Sequence, residues 1–133
     1  MQAYNLDSTE STPKIILDPN NKIFEISGIS RPENVRECYE PVIDWFEEFE
    51  KNLHKYDFFS SGELIIFKIQ LNYFNSASAK FILDILMEIN KLFNLGMQLQ
   101  IDWYYDEGDD DMKEVGEELS EIVDFKFNYI QED

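Results

Sequence analysis

Between Met97 and Trp103 the chain alternates strictly, with Met97, Leu99, Ile101 and Trp103 apolar and Gln98, Gln100 and Asp102 polar. A period of two marks a β-strand with one buried face. Shorter β-rich runs occupy Lys14 to Leu17 and Lys22 to Ser27. Asp18-Pro19-Asn20-Asn21 between them is turn chemistry, so the pair reads as a hairpin. Glu63 to Phe74 is a longer run, and its continuously apolar Leu64-Ile65-Ile66-Phe67 predicts a strand covered on both faces. Phe125, Phe127 and Tyr129 alternate with Lys126 and Asn128 as a last strand.

Other stretches follow the helical period. Over residues 33 to 55, Val35, Cys38, Tyr39, Val42, Ile43, Phe46, Phe49 and Leu53 recur at steps of three and four, with acids opposite. Pro32 suits the helix start, whereas Pro41 lacks an N–H and predicts a kink or break. Ile82, Ile85, Leu86, Ile89, Leu92 and Phe93 mark a second amphipathic helix, stopped at Asn94-Leu95-Gly96. A short acidic helix covers 109 to 121. The order is therefore β-β-α-β-α-β-α-β. Helices alternating with strands imply crossover connections, hence an α/β domain with a mixed sheet of four or five strands and helices packed on it.

The chain has 133 residues and no repeat or low-complexity linker, so residues 1–133 are read as a single domain. The polar stretch 1–12 is expected to be flexible. A hydrophobic fraction of 44% argues against disorder even at a net charge of −17. That charge repels phosphate backbones and anionic lipid, which excludes nucleic acid and membrane as expected partners and favours a basic protein surface. No apolar run approaches the ~20 residues of a membrane span. Cys38 is the only cysteine, which rules out an internal disulfide, and the expected location is cytoplasmic.

Catalytic raw material is scarce. The one histidine, His54, stands near the end of the first helix, where the dipole favours a cation. Cys38 lies on an apolar stripe with nothing to activate it. Zinc binding, Ser-His-Asp catalysis and a glycine-rich phosphate loop all lack their residues, so no enzyme and no cofactor is expected. The acid run Asp106-Glu107-Gly108-Asp109-Asp110-Asp111 fails as an EF-hand loop. Aligning Gly108 with the loop glycine puts Trp103 and Tyr105 where oxygen ligands belong. These acids suit the first turn of a helix or a partner-binding face, with a metal site the remaining alternative.

Asn75-Ser76-Ala77-Ser78 joins the long strand to the second helix. The first N–H groups of a helix lack internal partners, so Asn75 or Ser76 can cap them, contributing about 1 kcal/mol. The same N–H groups and the helix dipole favour an anion, including a phosphate of about −1.5 to −2 charges on a serine. Local pattern alone leaves both roles open.

"TPKIILD" at 12–18, "ISRPENVRECYEPVIDWF" at 29–46, "LNYFNSASAKFILDIL" at 71–86 and "WYYDEGDDDMKEVGEEL" at 103–119 resemble, in the same order, the SiaC-type regulatory phosphoproteins of bacteria. The resemblance implies a STAS-like fold and no enzymatic activity. It implies a protein kinase and a metal-dependent Ser/Thr protein phosphatase as partners, acting on one hydroxyl at a helix start. It further implies that the unphosphorylated form binds and activates a diguanylate cyclase, controlling cyclic-di-GMP and biofilm formation. By position the phosphoacceptor is Ser76, where the family usually has threonine, and Ser78 is the second candidate. Asn75, Ala77 and Lys80 then surround the switch, and Asp106, Glu107, Asp109, Asp110 and Asp111 form a candidate acidic partner face. An anti-sigma factor antagonist in a partner-switching transcription pathway is the alternative reading of the same fold.

Overall fold

The computed structural model describes residues 1–133. Its elements run β1 (Tyr4–Leu6), β2 (Lys14–Asp18), β3 (Ile23–Ser30), α1 (Val35–Asn52), α2 (Asp57–Ser61), β4 (Ile65–Phe74), α3 (Ser76–Asn94), β5 (Leu99–Asp106), α4 (Asp110–Val123) and β6 (Asn128–Glu132). The six strands form one sheet in sequence order. β1, β2 and β3 are antiparallel neighbours, and β3 to β6 pair in parallel through helical crossovers. The hairpin turn closes as its residues dictate: Asp18 accepts hydrogen bonds from the Asn21 backbone N–H at 3.2 Å and from its side-chain amide at 2.7 Å.

All three long helices cover one face of the sheet. Phe24 and Ile26 of β3, Ile65, Phe67, Ile69 and Leu71 of β4, and Leu99, Ile101 and Trp103 of β5 point into that layer and are buried. They meet Val42, Phe46 and Phe49 of α1 and Ile82, Ile85, Leu86 and Ile89 of α3 in one core. The opposite face is open and mostly polar, and strict alternation follows. This corrects the expectation for Leu64 to Phe67: Leu64 is 54% and Ile66 37% exposed, because no helix packs on their side.

Four further expectations change. The sheet gains a strand, because Tyr4–Leu6 pairs with Leu17, Ile16 and Ile15 at the open edge of β2. The Trp45 indole donates to the Gln2 carbonyl at 3.0 Å, so the N-terminal stretch expected to be flexible is tied down over these residues. Helix α1 runs through Pro41 without a break. Pro41 and Glu37, whose carbonyl the missing N–H leaves without its helical donor, both lie on the exposed side of the helix. Finally, α1 ends at Asn52, and a 3₁₀ turn with the five-residue α2 leads into β4.

Candidate functional site

Four strands in parallel put the loops that follow them on one edge of the sheet. The segment after β3, the start of α3 after β4, and the acidic turn after β5 share that edge, the usual place for function in such sheets. At its centre is the junction of β4 and α3. Asn75 is the N-cap: its side chain accepts from the Ser78 N–H at 2.9 Å, and its own N–H donates to the Ser30 carbonyl at 3.0 Å. The N–H groups of Ser76 and Ala77 precede any internal acceptor and stay free at the positive end of a 19-residue helix.

The two serines of this junction have opposite surroundings. Ser76, first residue of α3, is exposed, as are Ala77 and, one turn on, Lys80. Ser78 is fully buried. Its Oγ donates to the Ser30 carbonyl at 3.2 Å and accepts from Ser30 Oγ at 2.8 Å. Ser30 Oγ also meets the Tyr39 hydroxyl at 2.5 Å. Tyr39 stacks on Phe81 with centroids 5.7 Å apart. Burial pushes its phenol up to about 12. A network of three hydroxyls thus ties α1 and β3 to the first turn of α3. Of the two candidate phosphoacceptors, Ser78 has a hydroxyl that is hydrogen-bonded and closed to solvent, whereas that of Ser76 is exposed.

The acid run divides along its length. Asp106 ends β5 and accepts from the Asn72 side chain at 3.5 Å, which links this turn to the last residues before α3. The Glu107 N–H donates to the Glu132 carbonyl at 2.7 Å. Asp109 is the N-cap of α4, accepting from the Met112 N–H at 3.1 Å, and Asp110 and Asp111 occupy its first turn. These are positions that a helix dipole favours for carboxylates. No three carboxylate, thiol or imidazole groups of the chain converge where they could hold a metal ion.

The remaining candidate groups lie apart from this edge's centre. His54 is exposed in the 3₁₀ turn after α1. Cys38 lines a shallow pocket of about 380 Å³ between β1 and the start of α1, and burial raises its thiol above the ordinary value, so thiolate is disfavoured. Sequence reasoning missed Ser30 and Tyr39 as supports of the junction. The one signal for Tyr39 was a tyrosine on an apolar stripe, whose hydroxyl needs a partner once buried.

A family model described as SiaC family regulatory phosphoprotein matches residues 6–132. An uncharacterized protein of Pseudomonas aeruginosa (strain UCBPP-PA14) is 30% identical over 128 residues, covering 96% of this chain and 94% of that protein. The crystal structure of apo-SiaC from Pseudomonas aeruginosa is similar at 28% identity and a TM-score of 0.78, covering all of both chains. SiaC crystallised with the diguanylate cyclase SiaD, whose activator it is, is similar at 28% identity and a TM-score of 0.81, over 97% of this chain and 99% of that one. No helix is long and apolar enough to cross a membrane.

Proposed function

Because the chain belongs to the SiaC family of regulatory phosphoproteins, we propose that it is a non-enzymatic cytoplasmic switch whose state is set at Ser76. A protein kinase transfers the γ-phosphoryl of ATP to Ser76 Oγ, releasing ADP and a proton. A metal-dependent phosphatase returns the hydroxyl by hydrolysis. The unphosphorylated form binds and activates a diguanylate cyclase. The observation that carries this reading is the division of the two serines. Ser76 presents a free hydroxyl beside unpaired N–H groups, while the network around Ser78 holds the same turn rigid. A phosphate there is stabilised by the helix start, so it alters the docking surface rather than unfolding the helix. The SiaC–SiaD complex of the similar protein supports a cyclase over a sigma-factor pathway as the output.

Mass spectrometry after incubation with ATP and the cognate kinase tests the acceptor. Phosphate on Ser76 that disappears in Ser76→Ala is expected; phosphate elsewhere, surviving that substitution, refutes it. Cyclic-di-GMP synthesis by the cyclase should be stimulated by Ser76→Ala and not by Ser76→Asp. Equal stimulation by the two would remove the switch.

A further inference from the structure

Helix α3 carries a second feature beyond its first turn. At 100° per residue, Ser76, Lys80, Leu83 and Met87 fall within about 60° of one another, a single outward stripe. Met87 is 47% exposed, whereas Ile82, Ile85, Leu86 and Ile89 of the same helix are buried. Beside the stripe, toward α1, Glu88 is only 8% exposed. Its Oε1 accepts from Lys91 Nζ at 3.1 Å, and its buried Oε2 has no hydrogen-bond partner. Glu50 and Glu47 of α1 act on the same lysine: the Glu88 hydrogen bond and charge, then these two, raise its ammonium above the ordinary value. Glu88 is thus the carboxylate that pairs with Lys91, with Glu47 and Glu50 of the neighbouring helix adding negative charge around it, and one Glu88 oxygen inside the seam lacks a donor.

We propose that this stripe, with the acidic seam at Glu47, Glu50 and Glu88, is the surface that docks a basic, amphipathic segment of the cyclase; the proposal rests on the switch reading above. Met87 and Leu83 supply the apolar centre, methionine being adaptable at such surfaces. An arginine of the partner supplies the missing donor at the seam, where its planar fork suits a carboxylate. Lys91 has a side chain 57% exposed and swings aside to admit it. A second copy of this chain is a poor occupant, because it brings the same charge of −17.

The geometry also explains how Ser76 controls a basic partner without attracting it. Ser76 lies about 18 Å along the axis from Glu88, roughly two Debye lengths at physiological salt, so a phosphate is screened from the seam. At its own end the bulk of the phosphate covers the small Ser76–Ala77 surface over which the partner packs, and the helix start and the exposed Lys80 one turn on hold it there.

Binding of the purified protein to the diguanylate cyclase of its own genome most similar to SiaD, measured calorimetrically at 50 and 300 mM salt, tests this. Met87→Asp is expected to weaken binding at least tenfold. The double change Glu47→Lys with Glu50→Lys should weaken it at least tenfold at 50 mM and flatten the salt dependence. Ser76→Asp should weaken binding while keeping the native salt dependence. Glu47 and Met87 are exposed and Glu50 is half-buried, and unchanged thermal melting verifies the fold of each variant. If Met87→Asp and the double variant bind within twofold of native while Ser76→Asp does not, the docking surface lies elsewhere and the switch reading stands. If the native protein does not bind the cyclase, the switch reading fails and the surface falls with it. A Met87-dependent dimer in sedimentation, with cyclase binding unaltered, assigns the stripe to a second copy and overturns the proposal.

Discussion

Replacing each serine of the α3 junction by alanine should separate structure from signalling. Ser78→Ala removes the donor to the Ser30 carbonyl and the acceptor of the Ser30 hydroxyl, two hydrogen bonds in a site closed to water. At about 0.5–1.5 kcal/mol net for each, the loss is about 1–3 kcal/mol. The Ser30 carbonyl keeps the Asn75 N–H at 3.0 Å, so only the Ser30 donor is orphaned. Alanine's better helix propensity returns about 0.5 kcal/mol at most. The balance is a destabilisation of about 0.5–3 kcal/mol, centred near 1.5, which at a urea dependence of about 1.5 kcal/mol per molar moves the midpoint down by about 1 M at that centre. Ser76→Ala touches an exposed side chain that is not the cap, so its midpoint should stay within about 0.3 M of native, equivalent to about 0.5 kcal/mol. Urea unfolding followed by circular dichroism reads both. A native midpoint for Ser78→Ala, or a large drop for Ser76→Ala, would falsify the division of roles. The phosphorylation assay should show the reverse ranking, with the acceptor lost in Ser76→Ala and retained in Ser78→Ala.

Asn75→Ala should lower stability by about 0.5–2 kcal/mol by freeing the Ser78 N–H, and Asn75→Gly by only a few tenths, in the same urea assay. Gly116→Ala in α4 should be more damaging than an ordinary helix substitution, because its Cβ would stand 2.5 Å from Nε1 of buried Trp103. Overpacking of that kind costs about 1–3 kcal/mol, and a gain in stability on the mutation would refute the packing. Tyr39 sets an alkaline limit. Its phenol is pushed up to about 12 by burial, so the folded state favours the neutral form. The resulting stability is fully present below pH 10, where an unfolded phenol titrates, and is lost as pH rises from 10 to about 12. Tyr39→Phe should flatten the fall in urea midpoint over that range, and an unchanged slope would show that another group dominates.

The strands and long helices were legible because their signals are local. The alternation of β5 and the starts of α1, α3 and α4 needed only neighbouring residues. Asn34, Asn75 and Asp109 each cap the N–H three residues on, at 3.0, 2.9 and 3.1 Å. Features that depend on distant partners were not. β1 has three residues, too few for a period, and exists because β2 offers an edge and Trp45 a donor to Gln2. The five residues of α2 make little more than one turn. Leu64 to Phe67 misled because continuous apolarity reports composition rather than cover, and the cover depends on which face the helices choose. At the junction, sequence narrowed the candidates to two hydroxyls. Which of them faces solvent depends on Ser30, which lies 48 residues from Ser78.

Helix geometry makes this division of exposure hard to escape. Residues two apart in an α-helix point about 200° apart, so a Ser-x-Ser start cannot expose both hydroxyls on a helix packed against a sheet. The cap fixes which one turns inward. Asn75 must reach the third N–H of the helix, and its own N–H is held by the Ser30 carbonyl, so Ser78 is delivered to Ser30 and Ser76 to solvent. Lengthening the junction by one residue after the cap would put Ala77 at the inward third position and remove the hydroxyl from the exposed first position. An insertion of alanine between Asn75 and Ser76 makes this testable. It should keep the helix, bury neither serine in the Ser30 site, and abolish kinase modification even though both serines remain. Continued phosphorylation of that variant at the native rate would mean that the kinase reads the serine and its flanking sequence rather than its place in the helix.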